Sequence, residues 1–186
     1  MALRKFSNFL IFSLLLATAV FSASIDPEGI LVFSLGGEVS ILNPLLSTDT
    51  SSGAVMGVIF SGMTKINAKL EVVPDLASSW EVSKDGKVWT FHLRKDAKWH
   101  DGQRFTAEDV VFTFQAVLNP KVNSVRRSDY FIDGQPIVFI ALDPYTVQAT
   151  LPKPFAPFLV HAAVSILPNH LLPCKDLNTA ALNHHP

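Results

Sequence analysis

The chain has 186 residues, of which 48% are hydrophobic and 17% are charged, and this balance excludes an intrinsically disordered protein. Fourteen Phe and three Trp residues provide large apolar side chains for a packed core. The formal net charge is only −1, so nucleic acid and anionic membrane are not expected partners.

The N-terminus has the three-part pattern of a secretory signal peptide, which we place at residues 1–23. Arg4 and Lys5 form a basic head without a twin arginine, and an apolar stretch with polar interruptions follows over residues 6–21. The alternative is an uncleaved anchor helix, but a membrane span needs about 20 apolar residues. No cysteine follows the stretch, so a lipid anchor is not expected. The candidate cleavage sites are Ala17-Thr18-Ala19 and Val20-Phe21-Ser22.

The first elements after the signal are predicted to be a buried strand and an α-helix. The strand covers the apolar residues 31–35 and ends at two glycines, and Asn43-Pro44 then interrupts regular structure. Thr50 or Ser51 is expected to cap the helix. Its apolar stripe, interpreted as core rather than as a cofactor site, comprises Val55, Met56, Ile59, Phe60 and Met63.

A β-hairpin and a second helix follow. The hairpin joins residues 80–82 to residues 88–93, and alternation places Trp89, Phe91 and Leu93 on one inward face. Thr106 and Asp109 have the spacing of a capping box at the start of a helix that ends at Asn119-Pro120. We interpret Glu108 and Asp109 as complements of the helix dipole, not as a catalytic carboxylate pair.

The last third of the chain predicts a polar loop, a second hairpin and a short helix. Arg126 and Arg127 lie in the loop, and the hairpin joins residues 138–142 to residues 146–151. The short helix runs through Leu159 and Val160. Residues 165–168 are expected to be extended again.

Sequence motifs for catalysis and metal binding are absent. There is no serine-hydrolase elbow, P-loop or dinucleotide fingerprint, so we predict no enzyme activity and no cofactor. Cys174 as a nucleophile would need an oriented base, of which the sequence gives no sign. The last part of the chain also contains side chains that can bind soft metals, but their spacing matches no known metal site. We therefore predict no metal site from His161, His170, Cys174, His184 and His185.

One long segment resembles a known family. It runs from Pro74-Asp75-Leu76-Ala77 through Lys98-Trp99-His100-Asp101-Gly102 to Phe105-Thr106-Ala107-Glu108-Asp109-Val110-Val111-Phe112. Leu42-Asn43-Pro44 and Ile166-Leu167-Pro168-Asn169-His170 match in the same order. The chain thereby resembles the extracytoplasmic solute-binding proteins of family 5, the peptide- and nickel-type binding components of ABC importers.

The resemblance implies a mixed α/β, bilobed type II periplasmic-binding fold, of which this chain is the N-terminal portion. Residues 24–43 would begin the first lobe, residues 44–164 would form a small α/β domain attached to it, and residues 165–186 would return to it. Members of the family continue into the rest of the first lobe and an opposite lobe. The resemblance therefore implies a fragment that binds its ligand weakly or not at all.

The implied function is capture of a peptide-like solute outside the cytoplasm by a monomer that delivers it to a membrane permease. The segment that would offer main chain to the ligand comprises Ser47, Thr48, Asp49 and Thr50, although Thr50 and Asp49 also suit the start of the helix. Three alternatives stay open. They are another solute, such as nickel or an oligosaccharide, a secreted hydrolase with a dispersed site, and an inactive truncated product.

Overall fold

The structure, a computed structural model, describes residues 23–25, 31–172 and 177–184. The predicted cleavage sites, Cys174 and His185 lie outside these residues. The chain divides into two units, residues 1–35 and residues 36–186. No helix in the described part of the chain has the length and apolar character needed to cross a membrane.

The described part of the first unit is a two-stranded antiparallel ribbon. Strand β1 (Ala23–Ile25) pairs with β2 (Leu31–Phe33), with Ser24 opposite Val32. The strand predicted at residues 31–35 therefore forms, although it is shorter. Val32 is 53% exposed, so this residue of the strand is not buried as predicted.

The second unit combines one four-stranded sheet, two small ribbons and three α-helices among its described residues. The helices are α1 (Thr50–Ile59), α2 (Ala107–Leu118) and α3 (Phe158–His161). The small ribbons are β3 (Thr64–Ile66) with β4 (Val72–Pro74), and β7 (Phe131–Ile132) with β8 (Gln135–Pro136). The sheet contains β5 (Ala77–Val82), β6 (Val88–Leu93), β9 (Val138–Asp143) and β10 (Thr146–Thr150). Single 3-10 turns lie at Arg127–Tyr130, Asn169–Leu171 and Ala181–Asn183.

The four-stranded sheet confirms both predicted hairpins and joins them. Its order is β5-β6-β10-β9 with all neighbours antiparallel, so the second hairpin adds to the first through β10. Phe91 lies opposite Trp80 on one side and Val147 on the other. Phe91 and Leu93 are buried and Trp89 is half-buried, which confirms the predicted inward face.

Helix α2 covers the inward face of this sheet and supplies much of the core. Its Val110 and Val117 are fully buried, and the ring of Phe114 stacks on Phe139 of β9 with centroids 3.6 Å apart. Phe158 of α3 fills the space between Phe91 and Phe139. The core therefore forms between α2, α3 and the sheet.

The predicted capping box at the start of α2 is confirmed, and its acidic residue has a second role. The Thr106 N–H donates to Oδ2 of Asp109 at 2.9 Å, while Oδ1 accepts from the N–H of Asn169 at 3.0 Å. One turn later, the Thr113 hydroxyl oxygen accepts from the N–H of Leu167 at 2.9 Å. These bonds hold the segment after α3 against α2.

Helix α1 differs from its prediction in two ways. Asp49, not Thr50 or Ser51, is the N-cap, because its carboxylate accepts the free N–H of Ser52. The apolar stripe is also less buried than expected, because the helix ends at Ile59. Met56 and Met63 are buried, the latter beyond the helix, whereas the rest of the stripe is half-buried, namely Val55, Ile59 and Phe60.

Candidate functional site

The Asn43-Pro44 step forms a turn that is held by the buried side chain of Asn43. Its Oδ1 accepts from the N–H of Leu45 at 2.9 Å, and its carbonyl oxygen accepts from the N–H of Ser47 at 3.0 Å. The side-chain amide donates to Oδ1 of Asn183 at 2.9 Å, so the turn is also anchored to residues 177–184. The residues that follow the turn consequently leave it in a fixed direction, towards α1.

Asp49 ends this segment and fixes the start of α1. Its Oδ1 accepts from the Ser52 N–H at 2.7 Å, and its Oδ2 accepts from the Ser40 hydroxyl at 2.5 Å. These bonds, that of Ser40 first, lower the pKa of Asp49 to about 2. Asp49 is therefore an anion over the whole physiological pH range.

The four residues of the predicted ligand segment come together in one pocket of about 460 Å³. Ser47 is buried, Asp49 is half-buried, and Thr48 and Thr50 are exposed. The other residues that line this pocket were not predicted from the sequence. They are Pro44, Gly53, Met56, Gly57, Val125, Arg126 and Ser165.

A second pocket of about 280 Å³ adjoins the first. The two share Pro44, Arg126 and Ser165, and together we call them the groove. The second pocket adds the following residues: Asp129, Tyr130, Val160, His161, Ala163 and Val164. Arg126 therefore lines both parts of the groove.

The loop that carries Arg126 is held beside the Asn43-Pro44 turn by its backbone. The N–H of Val125 donates to the carbonyl oxygen of Leu45 at 2.9 Å. The guanidinium of the next residue, Arg127, donates to the carbonyl oxygens of Val117 at the end of α2 and of Asn119 and Val122 just after it. Nothing in the sequence separates the roles of these two adjacent arginines.

Ser165 reaches the groove because the segment that follows α3 is fixed on both sides. The N–H of Ile166 donates to the carbonyl oxygen of Ser61 at 2.9 Å, and the bonds to Thr113 and Asp109 of α2 follow directly. Helix α2 therefore positions this wall of the groove without lining it.

Two of the histidines considered as metal ligands, His161 and His170, have separate partners. His170 pairs with Asp101 at 2.6 Å, and the ring of His161 packs against Tyr130 and Phe155. In residues 23–25, 31–172 and 177–184, no three His, Cys, Asp or Glu side chains are close enough to hold a metal ion.

The family model of the bacterial extracellular solute-binding proteins, family 5 Middle, matches residues 71–182. The chain belongs to this family. The match includes the sheet, α2 and Arg126, whereas residues 47–50 precede it. The first wall of the groove therefore lies outside the matched region.

Individual relatives agree with this assignment. The chain is 35% identical over 155 residues to the periplasmic oligopeptide-binding protein OppA of Escherichia coli, an alignment that covers 74% of this chain and 28% of OppA. NikZ of Campylobacter jejuni, solved in complex with Ni(L-His), is 39% identical with a TM-score of 0.71 over 81% of this chain and 29% of NikZ. AppA of Bacillus subtilis, solved with a nonapeptide, is 30% identical with a TM-score of 0.67 over 75% of this chain and 27% of AppA.

These likenesses confirm the predicted fold class. The family 5 chain has a mixed α/β structure that corresponds to part of a type II periplasmic binding protein. It spans about a third or less of the length of the relatives that it matches. The boundaries predicted at residues 43/44 and 164/165 stay predictions.

Proposed function

We propose that this chain contributes one wall of the ligand site in the solute-binding component of an ABC importer, which captures a peptide-like solute outside the cytoplasm. The observation that carries the proposal is the convergence of Ser47, Thr48, Asp49 and Thr50 on one pocket of the groove. The named ligands of two relatives support a peptide, since OppA is an oligopeptide-binding protein and AppA was solved with a nonapeptide.

The main chain at Thr48 is suited to an extended peptide. Thr48 is exposed, and its N–H and carbonyl groups form no hydrogen bond with another described residue. An extended ligand satisfies such groups by strand addition, in which main-chain bonds provide affinity for many side chains. The Asn43 turn and the Asp49 cap hold these groups in place before the ligand arrives, which lowers the cost of ordering them.

The mechanism that we propose is closure of a second lobe over the groove. A ligand that contacts both lobes stabilises the closed state by its differential affinity for that state. Delivery to a membrane permease follows, with ATP hydrolysis in another subunit. The chain itself would act as a monomer and without catalysis, and the predicted signal peptide at residues 1–23 would direct its export.

A nickel complex of an amino acid is the second candidate ligand. It is favoured by the likeness to NikZ, which was solved in complex with Ni(L-His). In that case the groove would contact the organic part of the complex, since the described residues contain no cluster of three metal-ligating side chains.

An NMR titration of the ¹⁵N-labelled chain with trialanine tests the peptide proposal. We expect shifts confined to the amides of residues 44–50, Arg126 and Ser165, with a Kd of about 1 mM or weaker because one wall supplies little binding energy. Thr48→Pro should abolish the shifts by removing the N–H, whereas Thr48→Ala should retain them. If about 50 mM trialanine shifts none of these amides, the proposal is wrong.

A further inference from the structure

A further pocket, which we call the tryptophan pocket, lies at the end of α1. Its volume is about 540 Å³, which exceeds that of either pocket of the groove and is typical of sites for small organic ligands. None of the described residues that line it also lines the groove. The tryptophan pocket is therefore a separate candidate site, and the proposed function makes no use of it.

The lining of the tryptophan pocket is largely apolar. Ile59 and Phe60 contribute from the end of α1, and Pro168 and Leu171 contribute from the segment after α3. Ile59 and Phe60 are half-buried, and Leu171 is 49% exposed. Covering exposed apolar surface of this kind is favourable in water. The lining therefore favours a ligand with an apolar body.

Trp99 gives the pocket an aromatic surface that is held in place. Its ring is half-buried and packs against the rings of Phe105 and His170, with centroids 6.1 Å and 6.3 Å away. The turn that carries Trp99 is closed by a bond from the N–H of Gly102 to the Trp99 carbonyl oxygen at 2.9 Å. A tryptophan ring attracts a cation through its quadrupole more strongly than other aromatic rings do. The pocket thus offers a fixed surface on which a cationic group can lie.

Asp101 is the one permanently charged side chain among the described residues that line the pocket, and His100 is the other titratable one. The Asp101 Oδ1 accepts from the N–H of Gln103 at 3.0 Å, and its Oδ2 pairs with Nε2 of His170 at 2.6 Å. These bonds, that of Gln103 first, lower the pKa of Asp101, so the side chain is an anion at physiological pH. The carboxylate is still 38% exposed, and each of its oxygens can accept a further bond. Lys98 lines a smaller neighbouring pocket and not this one.

We propose that the tryptophan pocket binds a small organic ammonium compound with an apolar body. The ammonium group meets the carboxylate of Asp101 and the ring of Trp99, and the apolar body covers Ile59 and Leu171. The same negative charge repels carboxylates, so the site selects by charge as well as by apolar contact. This inference goes beyond the proposed function and does not rest on it, because the two sites share no described residue.

The expected affinity is modest and depends on charge. Asp101 is partly exposed, so solvent screens its attraction for a cation. For 2-phenylethylamine, which is protonated at neutral pH, we expect a Kd of about 1 mM. The neutral isostere 2-phenylethanol should bind about fivefold to tenfold more weakly, and the anion 3-phenylpropanoate should bind more weakly still.

An NMR titration of the ¹⁵N-labelled full chain with these three compounds tests the inference. The indole N–H of Trp99, assigned with Trp99→Phe, and the amides of Asp101 and Leu171 report on the pocket through the ring current of the ligand. Asp101→Asn should reduce the affinity for 2-phenylethylamine about fivefold to tenfold, to that for 2-phenylethanol. The comparison of the three compounds on the unaltered chain needs no variant, and it decides the question if Asp101→Asn does not fold.

Asp85→Asn is the matched control. Asp85 also begins an Asp-Gly turn and accepts from the N–H two residues later, that of Lys87, at 3.2 Å, but it does not line the pocket. This variant should leave the affinity for 2-phenylethylamine unchanged. Equal losses for Asp85→Asn and Asp101→Asn would show diffuse attraction to a negative surface and overturn the inference.

Two other results would also overturn it. If 2-phenylethanol binds as tightly as 2-phenylethylamine, the pocket recognises apolar surface only and the role of Asp101 is wrong. If about 20 mM 2-phenylethylamine shifts neither the Trp99 indole nor the amides of Asp101 and Leu171, the pocket is not an ammonium site. Neither result affects the groove, which the trialanine titration tests separately.

Discussion

Truncation of Phe91 tests whether the inward face of the four-stranded sheet forms the hydrophobic core of the second unit. Phe91 is fully buried and lies within 6.3 Å of the Trp80 ring and 6.1 Å of the Phe158 ring, measured between centroids. Phe91→Ala therefore removes a complete aromatic ring from contact with β5 and α3.

The expected loss is about 3–5 kcal/mol, which combines lost burial with the cavity that remains. A buried aromatic side chain covers about 150–250 Å², and about 25 cal/mol per Å² gives a similar value. Because domains are stable by only about 5–15 kcal/mol, this single change removes a large part of the stability.

Urea denaturation followed by far-UV circular dichroism measures the effect. Thr90→Ala is the matched control, since Thr90 lies on the opposite face of the same strand and should change stability by less than about 1 kcal/mol. Phe91→Leu retains most of the volume and should stay folded if the alanine variant does not. A loss below about 1 kcal/mol for Phe91→Ala would refute the assignment of the core to this face.

Two further predictions concern the polar groups that hold the walls of the groove. Asp109→Ala should cost about 2–3 kcal/mol and Thr106→Ala about 1 kcal/mol, because only the former leaves the Asn169 N–H without its acceptor. Equal losses in urea denaturation would show that the bond to Asn169 contributes nothing. The second prediction concerns the pH dependence of the Asp49 cap. The pKa of Asp49 is about 2, below its ordinary value of 3.8. The ionised carboxylate of Asp49 therefore stabilises the fold fully above pH 3.8, and this stabilisation is lost as the pH falls through about 2. The NMR shift of the Ser52 amide should follow the titration of Asp49 with a midpoint near pH 2. The Asp49→Asn variant is the control and should show no such titration. A midpoint near pH 4 would contradict the assignment of Asp49 as the N-cap of α1.

The sequence by itself determined the elements whose signals are local. Alternation placed Phe91 and Leu93 on a common face, and the spacing of Thr106 and Asp109 marked the start of α2, because strand faces and helix caps depend on residues a few positions apart. The resemblance of residues 74–112 to family 5 was also readable without a structure, since it depends on the order of residues alone. The ligand segment at residues 47–50 followed from that resemblance.

Only the tertiary structure decided which other residues line the groove with that segment. Arg126 and Ser165 reach the groove through bonds between residues far apart in the chain, such as the N–H of Val125 with Leu45 and the N–H of Leu167 with Thr113. No periodicity encodes such pairings. The sequence likewise did not reveal that Asp109 holds Asn169 as well as capping α2. These assignments depend on which buried polar groups find partners, and that is settled only when α2, the sheet and the segment after α3 pack together.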